Sequence, residues 1–433
     1  MSTLSIEAIR ASVARQRARA EDLFEQLAGC SQRPRGITRD TYGAGENAAH
    51  AVFTEYAASL GIEMRRDAAA NTYATWPGSD RCLPRIIVGS HLDSVPHGGN
   101  FDGAAGVVAG LIAIAALKEL GAVPRRDITV MGIRAEESVW FQVSYIGSRS
   151  ALGTLPTAAL DAHRIDTGRT LADHMAASGA DLAALREGGR EIAPEDVHAF
   201  LEVHIEQAPS LVELGKPIAI CTGIPGNFRF PDARIIGRYD HVGTPRRFRR
   251  DAAMAAADFA VALDQLWLEH EAADIPMAAT LGRFHTDAAA HGMTTVAGEF
   301  RFSLDVRAYD AAVLAKLEAR LNGIIREIEA SRGVHFDLGA RASAEVGIVS
   351  PAIRSELEQT AALLGIPAAT IGSPASHDTA AFASAGVPSA MIFVRNKNGS
   401  HNPDEAMEIG DFLDACAVLA AWIAADCTGP GAL

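Results

Sequence analysis

Four short stretches of the sequence combine histidines with carboxylates, the side chains that hold divalent metal ions in proteins. They are Gly89-Ser90-His91-Leu92-Asp93, Arg134-Ala135-Glu136-Glu137, His204-Ile205-Glu206-Gln207 and Gly399-Ser400-His401-Asn402-Pro403. A single His-x-Asp motif often arises by chance, so the inference depends on the four stretches converging. If they converge, the chemistry they suit is hydrolysis at a metal centre.

The carboxylates differ in what they could do. Asp102 opens a long apolar stretch, where it is either a helix N-cap or an oxygen donor shared by two cations. Glu136 and Glu137 follow a predicted buried strand, and burying two carboxylates is costly unless a cation neutralises them. One could bind metal while its neighbour acts as a general base toward water. The alternative for the pair is a solvated acidic turn.

The histidines also have simpler interpretations when each is taken alone. His204 could be a core histidine with its hydrogen bonds satisfied. His401 precedes Asn402-Pro403, which is typical of the start of a helix and indicates an ordered neighbourhood.

Each of the four stretches follows a predicted strand, and this could bring them together. The strands are predicted over 85–88, 128–133, 199–203 and 389–394, with a long apolar helix over 103–120. In open α/β sheets, ligands gather outside the carboxyl ends of the strands. The pattern therefore predicts an α/β fold with a mostly parallel central sheet and one metal-binding rim.

The pattern changes in the middle of the chain. Between about residues 215 and 347 it indicates strand, helix, strand, strand, helix and strand, and this βαββαβ order is typical of a small α+β domain. The last of these strands is predicted over 334–344. The 433 residues exceed one typical domain. We predict a catalytic domain in two segments, 1–213 and 349–433, with an inserted domain at 214–348.

Composition and charge exclude several classes of protein. The formal charge of −14 disfavours nucleic-acid binding, and the basic cluster Arg246-Arg247-Phe248-Arg249-Arg250 is interpreted as a solvated helix entrance. Five cysteines without a CxxC pair indicate neither a disulfide framework nor a thiolate zinc site. No apolar run is long enough to cross a bilayer and the N-terminus lacks a leader's apolar core, so a cytoplasmic protein without membrane partners is expected.

Several motifs occur together, in an order known from one family. The segments GSHLDSVPHGGNFDGAAGV, AEES, EVHIEQAPSL and HNPDE resemble the dinuclear metal-dependent peptidase superfamily of the aminoacylase and carboxypeptidase G2 type. Within it they resemble the hydantoinase/carbamoylase branch, which includes N-carbamoyl-L-amino acid hydrolases and allantoate amidohydrolases. The resemblance covers about residues 42–409. It implies a zinc-peptidase-like catalytic domain and an inserted domain that serves as lid and dimerisation surface.

The resemblance also implies roles for individual residues. One metal ion would be held by His91, Asp102 and His204, and a second by Asp102, Glu137 and His401. The ions would be zinc, with manganese, cobalt or nickel as alternatives. Asp93 would orient His91, and Glu136 would be the general base for an attacking water. Further family positions would contact the substrate: His241 as the group that polarises the scissile carbonyl, often across the dimer, and Gln207, Thr294, Arg307 and His377.

The surroundings of these residues depart from the branch. Trp140 stands in the segment where the branch has an arginine, Ala208 and Ser376 replace glycines, and Thr294 replaces an asparagine. The metal chemistry is therefore expected to be retained while the substrate pocket differs.

The leading hypothesis is a homodimeric amidohydrolase that cleaves a linear amide or ureido C–N bond in a small acidic molecule, with a metal-activated water as nucleophile. An N-acyl-amino-acid deacylase or aminopeptidase is the alternative. A non-catalytic binding protein and, because of Trp140, an aromatic amine hydrolase are remoter alternatives.

Overall fold

A computed structural model describes residues 4–31 and 35–428. The chain divides into two compact units. The main unit comprises the residues up to Ile224 and from Ile348 onward, and the inserted unit comprises Pro225–Gly347. The mixed α/β architecture, with a mostly parallel central sheet, confirms the predicted fold class.

The helices are, in chain order, α1 (Ile6–Arg15), α2 (Arg17–Gly29), α3 (Ala44–Ser59), α4 (Ala104–Glu119), α5 (Ile146–Ala151), α6 (Leu171–Ala177), α7 (Leu182–Arg186), α8 (Ser210–Leu214), α9 (Ala252–Ala272), α10 (Ala311–Arg332), α11 (Pro351–Leu363), α12 (Asp378–Ser384) and α13 (Ile409–Thr428). Within the described ranges, no helix is both long enough and apolar enough to cross a membrane.

The strands are β1 (Glu63–Arg66), β2 (Thr72–Trp76), β3 (Arg85–His91), β4 (Ile128–Ile133), β5 (Val197–Ile205), β6 (Ile218–Cys221), β7 (Gly226–Ile236), β8 (Asp240–His241), β9 (Met277–Thr286), β10 (Thr295–Val296), β11 (Glu299–Ala308), β12 (His335–Asp337), β13 (Ala342–Ala344), β14 (Ala368–Ile371), β15 (Ser389–Val394), β16 (Asn396–Lys397) and β17 (Ala406–Met407).

The main unit is built on an eight-stranded sheet in the order β1-β2-β4-β3-β5-β15-β6-β14. Its four neighbouring strands β4, β3, β5 and β15 run parallel to one another. These are the strands that the four histidine and carboxylate stretches follow. Their carboxyl ends therefore deliver all four stretches to the same edge of the sheet.

Helix α4 carries Asp102 at its entrance and packs tightly on this sheet. It is apolar all round and buried from Ala104 to Leu117, as expected of a helix in the interior of a large protein. Gly106 lets it approach, because a Cβ at that position would lie 2.4 Å from the carbonyl oxygen of Val203 and 2.6 Å from Cβ of Ser90. The close approach fixes the start of α4 against the ends of β3 and β5.

The inserted unit is a sheet covered on one face. Four of its strands lie in the order β12-β7-β11-β9, and β13 also pairs with β7. Helices α9 and α10 pack on the face where alternate residues of β11, from Phe300 to Ala308, are buried. The other face carries partly exposed polar residues, among them Asp305 and Arg307.

Two predictions about this unit differ from the structure. The predicted strand 334–344 is wrong, because β12 and β13 are separate strands that pair with either end of β7. Between these ends β7 contains Pro231, which has no N–H to donate, and β11 shifts register at the same level. The second unit also begins later than residue 214, because β6 belongs to the main sheet.

The packing of α4 predicts opposite outcomes for two glycine-to-alanine substitutions. Gly106→Ala should lower the free energy of unfolding of the main unit by about 1–3 kcal/mol, because the added methyl group overpacks the contact with Val203. Gly29→Ala, at the end of α2, adds a methyl group that has no neighbour within 4 Å among the described residues, and it should leave the free energy of unfolding unchanged or slightly raised. Thermal unfolding of both variants measures the difference, and equal melting temperatures would contradict this explanation.

Candidate metal centre

Asp102 lies at the centre of a cluster of imidazoles. Its Oδ1 atom is 3.5 Å from Nε2 of His91 and 3.2 Å from Nε2 of His204. Its Oδ2 atom is 3.3 Å from Nε2 of His401, which is 3.6 Å from Oε1 of Glu137. Two sets of three residues could each hold an ion: His91 with Asp102 and His204, and Asp102 with Glu137 and His401. Asp102 belongs to both sets.

The hydrogen bonds of the rings test whether a metal ion fits. Nδ1 of His204 is 2.9 Å from the carbonyl oxygen of Ile205, and Nδ1 of His91 is 3.1 Å from that of Asp93. A carbonyl only accepts, so each Nδ1 carries a proton. The lone pair of each Nε2 then faces a carboxylate oxygen, and Nε2 of His204 also accepts the N–H of Gly103 at 3.2 Å. A second proton or a cation between each Nε2 and the carboxylate would make these contacts favourable. Ligands about 2.1 Å from a tetrahedral zinc ion would be about 3.4 Å apart, so the observed spacing fits.

The pKa shifts of the cluster also indicate that positive charge is favoured there. Burial acts to raise the pKa of Asp102, but hydrogen bonds from His204, His401 and His91 outweigh it and hold that pKa well below its usual range. The hydrogen bond with Asp102 raises the pKa of His401 to about 9. Burial, reinforced by Asp102, raises the pKa of Glu137 to about 7.

Glu136 stands beside the cluster without belonging to either set. It is half-buried, and burial raises its pKa well above the usual range, with His91 opposing the rise and Glu137 adding to it. Asp93 positions the pair, because its carboxylate accepts the backbone N–H groups of Glu136 at 3.1 Å and Glu137 at 3.3 Å. The same carboxylate lies 3.4 Å from Nδ1 of His91.

The turn that presents Glu136 and Glu137 is held in an unfavourable backbone conformation. Ala135 has φ +59°, a left-handed conformation that costs a residue with Cβ about 1–2 kcal/mol. Its N–H donates to Oε1 of Glu46 at 2.9 Å, and Oε2 of Glu46 pairs with buried Arg134 at 3.0 Å. The buried Glu46–Arg134 ion pair therefore stabilises the strained turn through the hydrogen bond from the Ala135 N–H to Glu46.

Several residues that hold the cluster have no role predicted from the sequence. Ser400 donates to Oδ2 of Asp102 at 2.6 Å, and Glu405 accepts the backbone N–H groups of Phe101 and Asp102 at 2.9 and 3.3 Å. Both lie in the His401 motif, so their closeness to His401 in the sequence could have predicted a role at the cluster. Thr41 donates to Asp93 at 2.5 Å, but nothing in its sequence context indicates this.

Two simpler interpretations do not hold. The N-cap of α4 is Gly103, without a side-chain cap, so Asp102 does not serve as a helix cap. No helix begins at Asn402: His401 lies in a turn with φ +59°, and the next helix, α13, begins at Ile409.

Two residues predicted to bind substrate lie at this centre. The side-chain amide of Gln207 donates to Oδ2 of Asp102 at 2.8 Å, and its buried Oε1 atom has no hydrogen-bond partner among the residues that the structure describes. The ring of His377 lies 4.3 Å from that of His204. Its Nε2 is 2.9 Å from Oγ of Ser373, which itself donates to the carbonyl of Ala375, so His377 holds its proton on Nε2.

Glu202, His204 and His377 form a third set that could hold a metal ion. Both oxygens of Glu202 already accept hydrogen bonds, at 2.7 Å from Ser90 and at 2.9 and 2.6 Å from Thr379. This set therefore lacks the unmet need for positive charge that the Asp102 cluster has.

Trp140 is a structural residue. Its side chain is almost wholly buried, its Nε1 donates to the carbonyl of Ser94 at 2.9 Å, and the guanidinium of Arg164 lies over its ring at 4.4 Å. Trp140 therefore supports the loop after His91 and offers no surface for an aromatic substrate.

The remaining predicted residues belong to the inserted unit. His241 and Thr294 are brought together, because β8 pairs with β10 and the N–H of Val242 donates to the carbonyl of Thr294 at 2.9 Å. The N–H of Gly243 donates to Nδ1 of His241 at 3.1 Å, which leaves the proton on Nε2 free to be donated elsewhere.

Arg307 is not brought near them. The part of β11 between Glu299 and Arg307 alone spans roughly 26 Å at about 3.3 Å per residue, and Thr294 lies before its start. The Arg307 guanidinium is bound by Asp305, at 3.0 and 3.2 Å. Thr294 and Arg307 of one chain therefore cannot hold the same substrate carboxylate.

The chain is similar to known proteins over most of its length. Residues 87–425 match the model of peptidase family M20/M25/M40. The chain is 32% identical over 372 residues to the N-carbamoyl-L-amino acid amidohydrolase of Geobacillus stearothermophilus, covering 86% of this chain and 88% of that protein. It is 29% identical over 388 residues to the allantoate amidohydrolase of Escherichia coli K12, covering 89% and 92%. A solved hydantoinase/carbamoylase family amidase from Burkholderia ambifaria has a TM-score of 0.81 at 28% identity, covering 95% of this chain and 97% of that chain.

The shared position of Asp102 predicts that one substitution weakens both sets. In Asp102→Asn the affinity for zinc should fall by about tenfold or more, because the charge common to the two sets is lost. Asp232→Asn, which removes a carboxylate that is 77% exposed in the inserted unit, is the matched control. Atomic emission after equilibrium dialysis measures bound metal, and unchanged binding by Asp102→Asn would exclude this centre.

Proposed function

Because the chain belongs to peptidase family M20/M25/M40, we propose that it is a metal-dependent amidohydrolase that cleaves a linear ureido or amide C–N bond in a small acidic molecule. An N-carbamoyl amino acid or an allantoate-type molecule is the favoured substrate. The observation that carries the proposal is the buried Asp102 carboxylate, which faces three imidazoles whose arrangement calls for positive charge between them.

The centre would hold two divalent ions, with zinc favoured. His91 and His204 would bind one, Glu137 and His401 the other, and Asp102 both. When bound, such ions polarise the substrate carbonyl and lower the pKa of water.

The chain's own groups would complete the reaction. Glu136 would take the proton from the attacking water and transfer it to the leaving nitrogen. Asp93 keeps Glu136 in place through its backbone N–H group. Gln207 and His377 lie within the cluster, where they could orient the substrate, and Nε2–H of His241 is available to stabilise the oxyanion.

The inserted unit supports a homodimer. Met254, Val261 and Leu268 recur at every seventh position of α9 with 48%, 70% and 51% exposure, so they form an apolar stripe on one side of the helix. Helix α9 packs on β9, whose outer edge is unpaired within the described residues and would invite a further strand. A second copy would cover both features.

A dimer would also explain why the residues predicted to bind substrate lie far apart in one chain. Arg307 lies far along the sheet from His241 and Thr294, so a single active site cannot use both ends of one inserted unit. In a dimer, His241 and Thr294 would serve one active site and Arg307 the other.

An N-acyl-amino-acid deacylase or aminopeptidase is the alternative, because the same centre could cleave those bonds. A panel of N-carbamoyl amino acids, allantoate, N-acetyl amino acids and dipeptides separates the classes. Ammonia should be released from the ureido substrates only. Faster turnover of the dipeptides or the acetyl compounds would overturn the substrate assignment while leaving the metal chemistry intact.

The role of Glu136 predicts a loss of turnover without a loss of metal. Glu136→Gln should lower kcat by about 10²–10⁴-fold, because the proton acceptor is removed. The control is Glu195→Gln, whose carboxylate is 66% exposed. Kinetics and metal content are measured on the same samples, and turnover by Glu136→Gln at the wild-type rate would refute the role.

A mixing experiment tests whether His241 acts across the dimer. Glu136→Gln and His241→Ala should each be inactive alone. Mixed dimers would contain one intact site, so after exchange of subunits about a quarter of the wild-type activity should return. No recovery, with mixed dimers shown by mass spectrometry, would mean that His241 serves its own chain.

A further inference from the structure

The inserted unit contains a strongly basic cavity. It has a volume of about 1400 Å³, and its lining includes six arginines: Arg238, Arg246, Arg247, Arg249, Arg250 and Arg332. The lining contains two aspartates, Asp251 and Asp258, in a chain whose formal charge is −14. We call it the arginine cavity.

Some of these charges are already neutralised. Arg332 pairs with Asp258 at 2.6 and 2.8 Å, and Arg238 pairs with Asp240 at 3.1 Å. Asp251 is the N-cap of α9 and accepts two backbone N–H groups there.

The guanidinium groups of Arg246, Arg247 and Arg250 are different. Among the described residues, none of them forms an ion pair or donates a hydrogen bond. All three residues are exposed, so water screens the repulsion between them, and their N–H groups can be donated to an anion that enters the cavity. The interpretation of this segment as a solvated helix entrance accounts for Arg246 and Arg247 but not for the cavity between them and Arg332.

The cavity also has an apolar wall. Phe248 is 55% exposed and Met254 is 48% exposed, and the Arg247 guanidinium lies 4.6 Å from the Phe248 ring centre. An exposed aromatic ring beside guanidinium groups suits a ligand with both an anionic and a planar part.

We propose that the arginine cavity binds a small organic phosphate with more than one negative charge. One guanidinium group can donate two parallel hydrogen bonds to two oxygens of a phosphate. Three guanidinium groups without an ion pair among the described residues therefore suit a ligand with more than one negative charge. Phe248 would contact the organic part. The site lies wholly in the inserted unit, and its lining includes Gly243 and Thr244 of the loop that carries His241.

Isothermal titration of the full-length, metal-loaded protein tests the proposal, with pyrophosphate, ADP and citrate as probes. ADP should bind at least as tightly as pyrophosphate and more tightly than citrate. The metal content of the recovered protein is measured, so that extraction of metal by a probe is not taken for binding. Absence of pyrophosphate and ADP binding, or equally tight binding of citrate, would overturn the proposal.

Two double variants locate the site. Arg246→Ala with Arg247→Ala should weaken ADP binding by about tenfold or more, because two unpartnered guanidinium groups are lost. Arg320→Ala with Arg326→Ala removes the same charge from the exposed side of α10 and should change it less than about twofold. Equal affinities of the two variants would overturn the assignment. Met254 belongs both to the cavity lining and to the proposed dimer stripe, so the mass of each variant in solution is measured as well.

Discussion

The carboxylate of Asp102 is buried, and a buried charge is stable only when it is paired and hydrogen-bonded. Three imidazoles, an amide and a hydroxyl surround it, and the tautomers of His91 and His204 leave Nε2 lone pairs facing its oxygens. This arrangement is favourable only with positive charge between the groups. Protons can supply that charge, and divalent ions would supply more of it. The rest of the main unit serves to hold this arrangement.

The fold produces this arrangement because neighbouring strands of the sheet run in the same direction and because α4 packs closely on them. Four neighbouring parallel strands end at one edge, so residues far apart in sequence meet there. Gly106 allows α4 to approach β3 and β5. The strained turn at Ala135 keeps Glu136 and Glu137 together, with the Glu46–Arg134 pair behind it. A buried ion pair adds little net stability, and here it fixes a conformation.

Much of this could be predicted from sequence, because apolar strands and the residues after them follow local rules. The parallel sheet and the βαββαβ insert follow from periodicity, and β11 and β15 begin and end where predicted. Properties that depend on distant partners could not be predicted. Examples are the interruption opposite Pro231, the Thr41–Asp93 bond and the burial of Trp140 under Arg164. The distance between Thr294 and Arg307 also required the structure, since spacing in sequence does not show that the strand between them is extended.

Anomalous diffraction from crystals of the zinc-loaded protein, recorded on both sides of the zinc absorption edge, tests the central claim most directly. Two peaks are expected, one among His91, Asp102 and His204 and one among Asp102, Glu137 and His401. A peak only among Glu202, His204 and His377, or no peak near Asp102 in fully loaded protein, would contradict the assignment of the metal centre.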